Sequence, residues 1–231
     1  MAVPAVSLIT GCASTETAKD AAPKVMSSPV ASVNFDSLTA GTQIDVADPT
    51  WSVEKVNGST LVAEVSANMS KSAPNSLYLF DDSSADKPYA LLKFAKGAAT
   101  SGSVSFDAYI PSQNPKTVYV NFGVGKNNSQ RFFELRLNAK DGIVQYENGS
   151  KDVKVADFTA DQWHTYTATW VDGSFSIAID GVASPTATNI SVASTGLSAS
   201  NTPTTVTFYA GDKKSTGTSA YIDNIESTLF K

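Results

Sequence analysis

The chain holds one cysteine and one histidine in 231 residues. A single cysteine closes no disulfide within the chain and cannot build a Cys-based zinc site. A single histidine likewise excludes multi-histidine metal centres and paired imidazole acid–base chemistry. Any metal would be held by oxygen ligands, which points to calcium. Charge is sparse too: Asp, Glu, Lys and Arg make up 17% of the residues, below the roughly one quarter of a typical globular protein. Lys and Arg number 17 against 22 Asp and Glu. That balance lacks the clustered basic excess a nucleic-acid surface needs, so nucleic acid is excluded as a partner. An acidic ligand is not excluded, because a local Arg or Lys cluster can override a weak global charge. No run of about 20 apolar residues is present to cross a bilayer as a helix. No long segment repeats apolar residues at helical spacing.

What is present is alternation. From Asn34 onward apolar and polar residues follow one another with a period of two, the signature of half-buried strands. Val104-Ser105-Phe106-Asp107-Ala108-Tyr109-Ile110 obeys it, as does Val118-Tyr119-Val120-Asn121-Phe122-Gly123-Val124. Phe133, Leu135 and Leu137 fall on one face of a strand, and Glu134, Arg136 and Asn138 on the other. His164 to Trp170 and Phe175 to Ile179 continue the pattern. Asp141-Gly142, Asn148-Gly149, Asp172-Gly173 and Asp180-Gly181 punctuate it as hairpin turns. The fold class expected is all-β, an antiparallel β-sandwich of two packed sheets. Hydrophobic residues make up 42% of the chain, enough to fill such a core. Phe106, Phe122, Phe133 and Phe208 are expected there, and Trp51, Trp163 and Trp170 are read as core as well. Asp81-Asp82-Ser83-Ser84-Ala85-Asp86 is read as an acidic surface loop, since it lacks the spacing of an EF-hand.

The N-terminus resembles the end of a bacterial lipoprotein signal peptide. Leu8-Ile9-Thr10-Gly11-Cys12 is similar to a lipobox, in which small residues precede the cysteine that receives the lipid. The resemblance implies lipidation of Cys12, residues 1–11 as a signal remnant, and export to the bacterial envelope or beyond. Any membrane contact would be through that lipid. Residues 13–33 are poor in aromatic and branched side chains. Residues 12–33 are therefore expected as a flexible tether and 34–231 as the β-domain.

Asp161-Gln162-Trp163-His164-Thr165-Tyr166-Thr167-Ala168-Thr169-Trp170-Val171-Asp172-Gly173, with the following Phe175 to Gly181, resembles concanavalin A-like and laminin-G-like jelly rolls. Val33-Asn34-Phe35-Asp36 and Tyr221-Ile222-Asp223-Asn224-Ile225 bracket the domain as in carbohydrate-binding modules. The resemblance implies a jelly roll whose ends meet around a structural calcium, held here by Asp36, at the opening of the first strand, and Asp223, in the last. A sharper likeness is to alginate lyases of the same fold. Arg131-Phe132-Phe133-Glu134-Leu135-Arg136, Gln162-Trp163-His164 and Phe208-Tyr209-Ala210-Gly211 are similar to three of their strands, in the same order. It implies β-elimination with Arg136, Gln162, His164 and Tyr209 as the catalytic set. The sequence departs from that pattern where the lyase tyrosine would fall, which is Lys213.

Strand parity alone collects Asp107, Tyr109, Tyr119, Asn121, Glu134, Arg136 and Tyr209 on polar strand faces. If those strands are neighbours, the face suits a polysaccharide: tyrosine rings stack on pyranoses and a guanidinium grips a carboxylate. The expected function is binding of a polysaccharide, acidic and alginate-like, without catalysis. A lyase and a purely structural envelope lipoprotein are the alternatives.

Overall fold

The computed structural model describes residues 31–54, 62–84, 88–97, 99–125, 131–148, 151–171, 174–184, 188–189, 202–212, 214 and 216–230. Cys12, the expected signal remnant, nearly all of the expected tether and Lys213 lie outside the described residues.

Among the described residues the strands form two sheets, one of nine and one of seven. The larger runs β13 (Val182–Ala183), β12 (Ser174–Ile179), β11 (Trp163–Val171), β6 (Ser101–Tyr109), β16 (Thr218–Ser227), β4 (Ser76–Asp81) and β3 (Val62–Ser66). On it β1 (Ala31–Val33) pairs with β16, and β14 (Thr188–Asn189) with β12. The smaller runs β10 (Lys151–Asp157), β9 (Ile143–Asn148), β8 (Arg131–Asn138), β7 (Val118–Gly123), β15 (Thr205–Ala210), β5 (Tyr89–Lys93) and β2 (Trp51–Glu54). Every pairing is antiparallel. A single short helix, α1 (Ile44–Ala47), appears among the described residues. The all-β sandwich of jelly-roll type is therefore the fold.

The period-two pattern explains the core. Phe106, Phe122 and Phe208 are fully buried and Phe133 is 1% exposed. Phe106 of one sheet meets Phe208 of the other edge-on at 5.2 Å, and Phe133 stacks on Phe175 across the sandwich at 4.7 Å. Burying each such ring contributes about 1.5–3 kcal/mol, so the aromatic layer is a main cement between the sheets. The hairpin signal at Asp180-Gly181 takes its expected form, whereas Gly149, Asp172 and Gly173 lie outside the described residues. Asp180 and Gly181 both have positive φ, 51° and 78°, the requirement of the tight primed turn between β12 and β13.

Four expectations need correction. The domain begins by Ala31, where β1 pairs Val33 with Ile225, so the last residues of the expected tether belong to the sandwich. Asp36 does not open a strand; it follows β1 in a turn. Asp81 is no loop residue: it ends β4 and is fully buried. Trp51 and Trp170 are core, but Trp163 has outward parity at the start of β11 and is half-buried.

Candidate functional site

The antiparallel register lines up side chains across the outer face of the smaller sheet. Tyr89 pairs with Tyr209, Tyr209 with Tyr119, and Tyr119 with Arg136. This row therefore crosses β5, β15, β7 and β8. Tyr119 and Tyr209 stack at 4.5 Å with ring planes 6° apart, and Tyr89 sits 4.9 Å from Tyr209. The Arg136 guanidinium lies 5.8 Å from the centre of the Tyr119 ring. A second row, Leu91, Thr207, Asn121 and Glu134, runs beside it. Five of the residues expected on the ligand face, Tyr119, Asn121, Glu134, Arg136 and Tyr209, are thus brought together.

They divide by depth. Tyr119 and Arg136 are half-buried and can meet a ligand. Glu134, Asn121 and Tyr209 are 0%, 1% and 1% exposed. Glu134 is the hub: Arg131 Nη1 donates to its Oε2 at 2.7 Å, Arg136 Nε to its Oε1 at 2.8 Å, and the Tyr209 hydroxyl to its Oε2 at 2.6 Å. Arg136 also donates through Nη1 to Asp152 of β10. Burial, and then the adjacent Glu134 carboxylate, push the Tyr209 hydroxyl well above its ordinary ionisation. Tyr209 is thus a neutral donor at physiological pH rather than a phenolate base. Burial raises Tyr119 too, against the pull of Arg136. Both amide atoms of Asn121 and the Thr207 hydroxyl are buried without a hydrogen-bond partner.

Asp107 and Tyr109 do not join this face. They lie on β6, in the other sheet, paired with β11 and β16. Asp107 is spent on structure: it accepts from Thr165 and from Asn224 Nδ2, which is 2.9 Å away. The lyase set is split in the same way. Arg136 and Tyr209 stand on β8 and β15, whereas His164 stands at the start of β11 in the opposite sheet and Gln162 just before that strand. His164 Nδ1 faces Asp180 Oδ2 at 2.6 Å and its Nε2 faces the Thr159 carbonyl at 2.9 Å. Both ring nitrogens are occupied by acceptors, which fits a packing residue of the sandwich end.

The first and last described strands do meet, β1 on β16, and Asp36 and Asp223 are close enough to repel. Asp223 is fully buried. Its Oδ2 accepts the amides of Lys71 and Ser72 at 2.8 and 3.0 Å, and its Oδ1 the amide of Asn224 at 2.8 Å. Burial first, then Asp36, raises its carboxyl pKa. Three amide donors offset part of the repulsion. The acceptor capacity left on Asp223 and Asp36 is of the oxygen type that calcium takes. Among the described residues no cluster of three or more His, Cys, Asp or Glu forms a metal site.

No family model and no curated protein matches the chain. Solved structures share its fold. A sialidase superposes over 86% of this chain with a TM-score of 0.62 and 18% identity, but the match spans only 18% of the sialidase. A cellulose-induced protein matches over 85% of this chain and 96% of its own, with a TM-score of 0.62 and 12% identity. An endo-β-1,4-glucuronan lyase from the fungus Trichoderma reesei matches over 82% and 95%, with a TM-score of 0.53 and 11% identity. At these identities the likeness establishes the sandwich and nothing finer.

Sequence reasoning missed Tyr89, the end of the tyrosine row. Its strand, Tyr89-Ala90-Leu91-Leu92-Lys93, carries three buried residues in a row and shows no alternation. The aromatics of β4, Tyr78 and Phe80, were legible as the outward set of Ser76-Leu77-Tyr78-Leu79-Phe80, but no motif drew attention to them.

Proposed function

We propose that the protein is an exported polysaccharide-binding domain that uses the outer face of the smaller sheet to hold an acidic glycan such as alginate, without catalysis. The observation that carries this reading is the row Tyr89, Tyr209, Tyr119 and Arg136, three rings ending on a guanidinium. The carbohydrate-active proteins among its structural neighbours support a glycan partner. Arg136 suits an acidic chain in a specific way. Its Nε is anchored on buried Glu134, while its Nη1 meets Asp152, whose side chain is 41% exposed. An ion pair so exposed stabilises by about 0–1 kcal/mol, so a uronate carboxylate can displace Asp152.

Binding of polyuronate is expected on the order of 1 mM to 1 μM. Arg136→Ala should weaken it about tenfold or more, Arg136→Lys should not restore it, and Asp152→Asn should tighten it by removing the competitor. Calorimetric titration with alginate oligosaccharides measures all three. Equal affinity in wild type and Arg136→Ala would remove this face as the site. Appearance of ultraviolet-absorbing unsaturated uronate during the titration would instead favour the lyase reading.

Calcium at Asp36 and Asp223 is part of the same proposal, as a structural ion joining the chain ends. Adding calcium should raise the melting temperature and chelation should lower it, with Asp223→Asn abolishing the response. A melting curve indifferent to calcium would mean that the amides of Lys71, Ser72 and Asn224 suffice. Lipidation of Cys12 would place the domain at the envelope, and mass spectrometry of membrane-fraction protein from the native start decides it.

A further inference from the structure

The larger sheet carries its own row on its outer face. Glu64 pairs with Tyr78, Tyr78 with Tyr221, Tyr221 with Tyr109, and Tyr109 with Trp163. These residues stand in line across β3, β4, β16, β6 and β11. Adjacent strands lie about 4.8 Å apart, so the four rings span roughly 14 Å, the reach of a short oligosaccharide. Tyr78 and Tyr221 are 4.7 Å apart, Tyr221 and Tyr109 6.3 Å, and Tyr109 and Trp163 5.9 Å. Phe80, two residues along β4, widens the patch beside the row, stacked on Tyr78 at 6.1 Å.

These rings are not core. The alternate residues of the same strands, Leu77, Leu79, Ala108, Ala220 and Ile222, fill the interior and are fully buried. Tyr78, Phe80, Tyr109, Trp163 and Tyr221 are all half-buried, on the side facing away from it. A contiguous aromatic patch on an outer sheet face marks a binding surface. Its surroundings define the partner. Ser219 lies beside Tyr78, and the exposed Asp161 beside Tyr109, so the rings are flanked by a hydroxyl and a carboxylate. The row holds Glu64 at one end and no Lys or Arg, which disfavours anionic chains. Aromatic faces flanked by acceptors match pyranose rings with free hydroxyls.

We propose that this row is a second glycan-binding surface, selective for a neutral, hydroxyl-rich polysaccharide lying across the strands. It is separate from the Arg136 face and does not rest on it. The full chain would be incubated with microcrystalline cellulose, chitin, xylan and curdlan, and the bound fraction measured. Retention on at least one is expected. Tyr78→Ala/Tyr109→Ala should cut the binding constant at least tenfold, and Arg136→Ala, on the other sheet, should leave it unchanged. Trp163 is half-buried whereas Trp51 and Trp170 are core, so its fluorescence should also shift on titration with a soluble oligomer of the retained glycan and stay flat in Trp163→Phe. Absence of retention on all four polymers would overturn the proposal. So would a folded Tyr78→Ala/Tyr109→Ala that binds like wild type, or a neutral-glycan affinity lost in Arg136→Ala. Wild-type dimerisation abolished by Tyr78→Ala/Tyr109→Ala would likewise overturn it, by assigning the row to a second copy.

Discussion

Glu134→Ala should destabilise the domain by about 3–5 kcal/mol, the usual cost of removing one partner from a buried ion pair. Glu134 is fully buried and neutralises Arg131, whose side chain is only 8% exposed. It also accepts the hydroxyl of Tyr209, which is 1% exposed. Alanine takes from a desolvated cation and a desolvated phenol the carboxylate they share. At about 2–4 °C per kcal/mol for a domain of this size, the melting temperature should fall by roughly 10 °C. Glu134→Gln keeps the shape and one acceptor and should fall between. The triple change Glu134→Leu, Arg131→Met and Tyr209→Phe removes the buried members of the network together and should recover much of the loss, because the one charge that remains, Arg136, keeps Asp152. Thermal melts followed by circular dichroism test this. A Glu134→Ala melt within 2 °C of wild type would mean that the carboxylate is not the hub, and that Tyr119 and Arg136 are placed by something else.

This network also marks where sequence reasoning stops. Parity put Glu134 and Arg136 on the outer face and Phe133 and Leu135 in the core, as found. Strict alternation, however, groups Arg131 with Phe133. An irregularity in the ladder pairs Phe122 with Phe133 but Gly123 with Arg131, which turns Arg131 outward to reach Glu134. No turn residue announces it. A larger gap concerns sheet membership. Parity says which side of a strand a residue occupies and nothing about which sheet the strand joins. That is decided by partners far along the chain: β6 by β11 and β16, and β7 by β8 and β15. Asp107 and Tyr109 were therefore grouped with Tyr119 although they face away on the opposite sheet. The same blindness hid the row of Tyr78, Tyr221, Tyr109 and Trp163, whose members come from four separate strands. Asp36 and Asp223 were placed together by resemblance, and the pairing of β1 with β16 supplies the physical cause.

The second large effect is expected at Gly211, where the two sheets touch. Gly211 directly follows β15 and has φ of +78°, a left-handed conformation that costs a non-glycine residue about 1–2 kcal/mol. Space is shorter still. A Cβ on Gly211 would lie 1.7 Å from Asp81 Oδ2 and 2.6 Å from its Cγ. Asp81 is fully buried and held in place: its carbonyl accepts the amide of Gly217 at 2.6 Å and its Oδ1 the amide of Ser83 at 3.2 Å. Gly211 is fixed too, its amide donating to the Thr117 carbonyl at 3.0 Å. Neither side can retreat cheaply, and overpacking of this kind adds about 1–3 kcal/mol. Gly211→Ala should thus lose about 2–5 kcal/mol, and Gly211→Val more. The steric part depends on one side chain, so a double-mutant cycle isolates it: Gly211→Ala should cost less in an Asp81→Ala background, while the backbone part persists. Because Gly211 anchors the end of the strand that carries Tyr209, the damage should reach the tyrosine row and lower polyuronate affinity along with stability. Denaturant melts of the four proteins give the coupling. If Gly211→Ala costs the same with and without Asp81, the clash is absent, and the glycine is needed for its backbone alone.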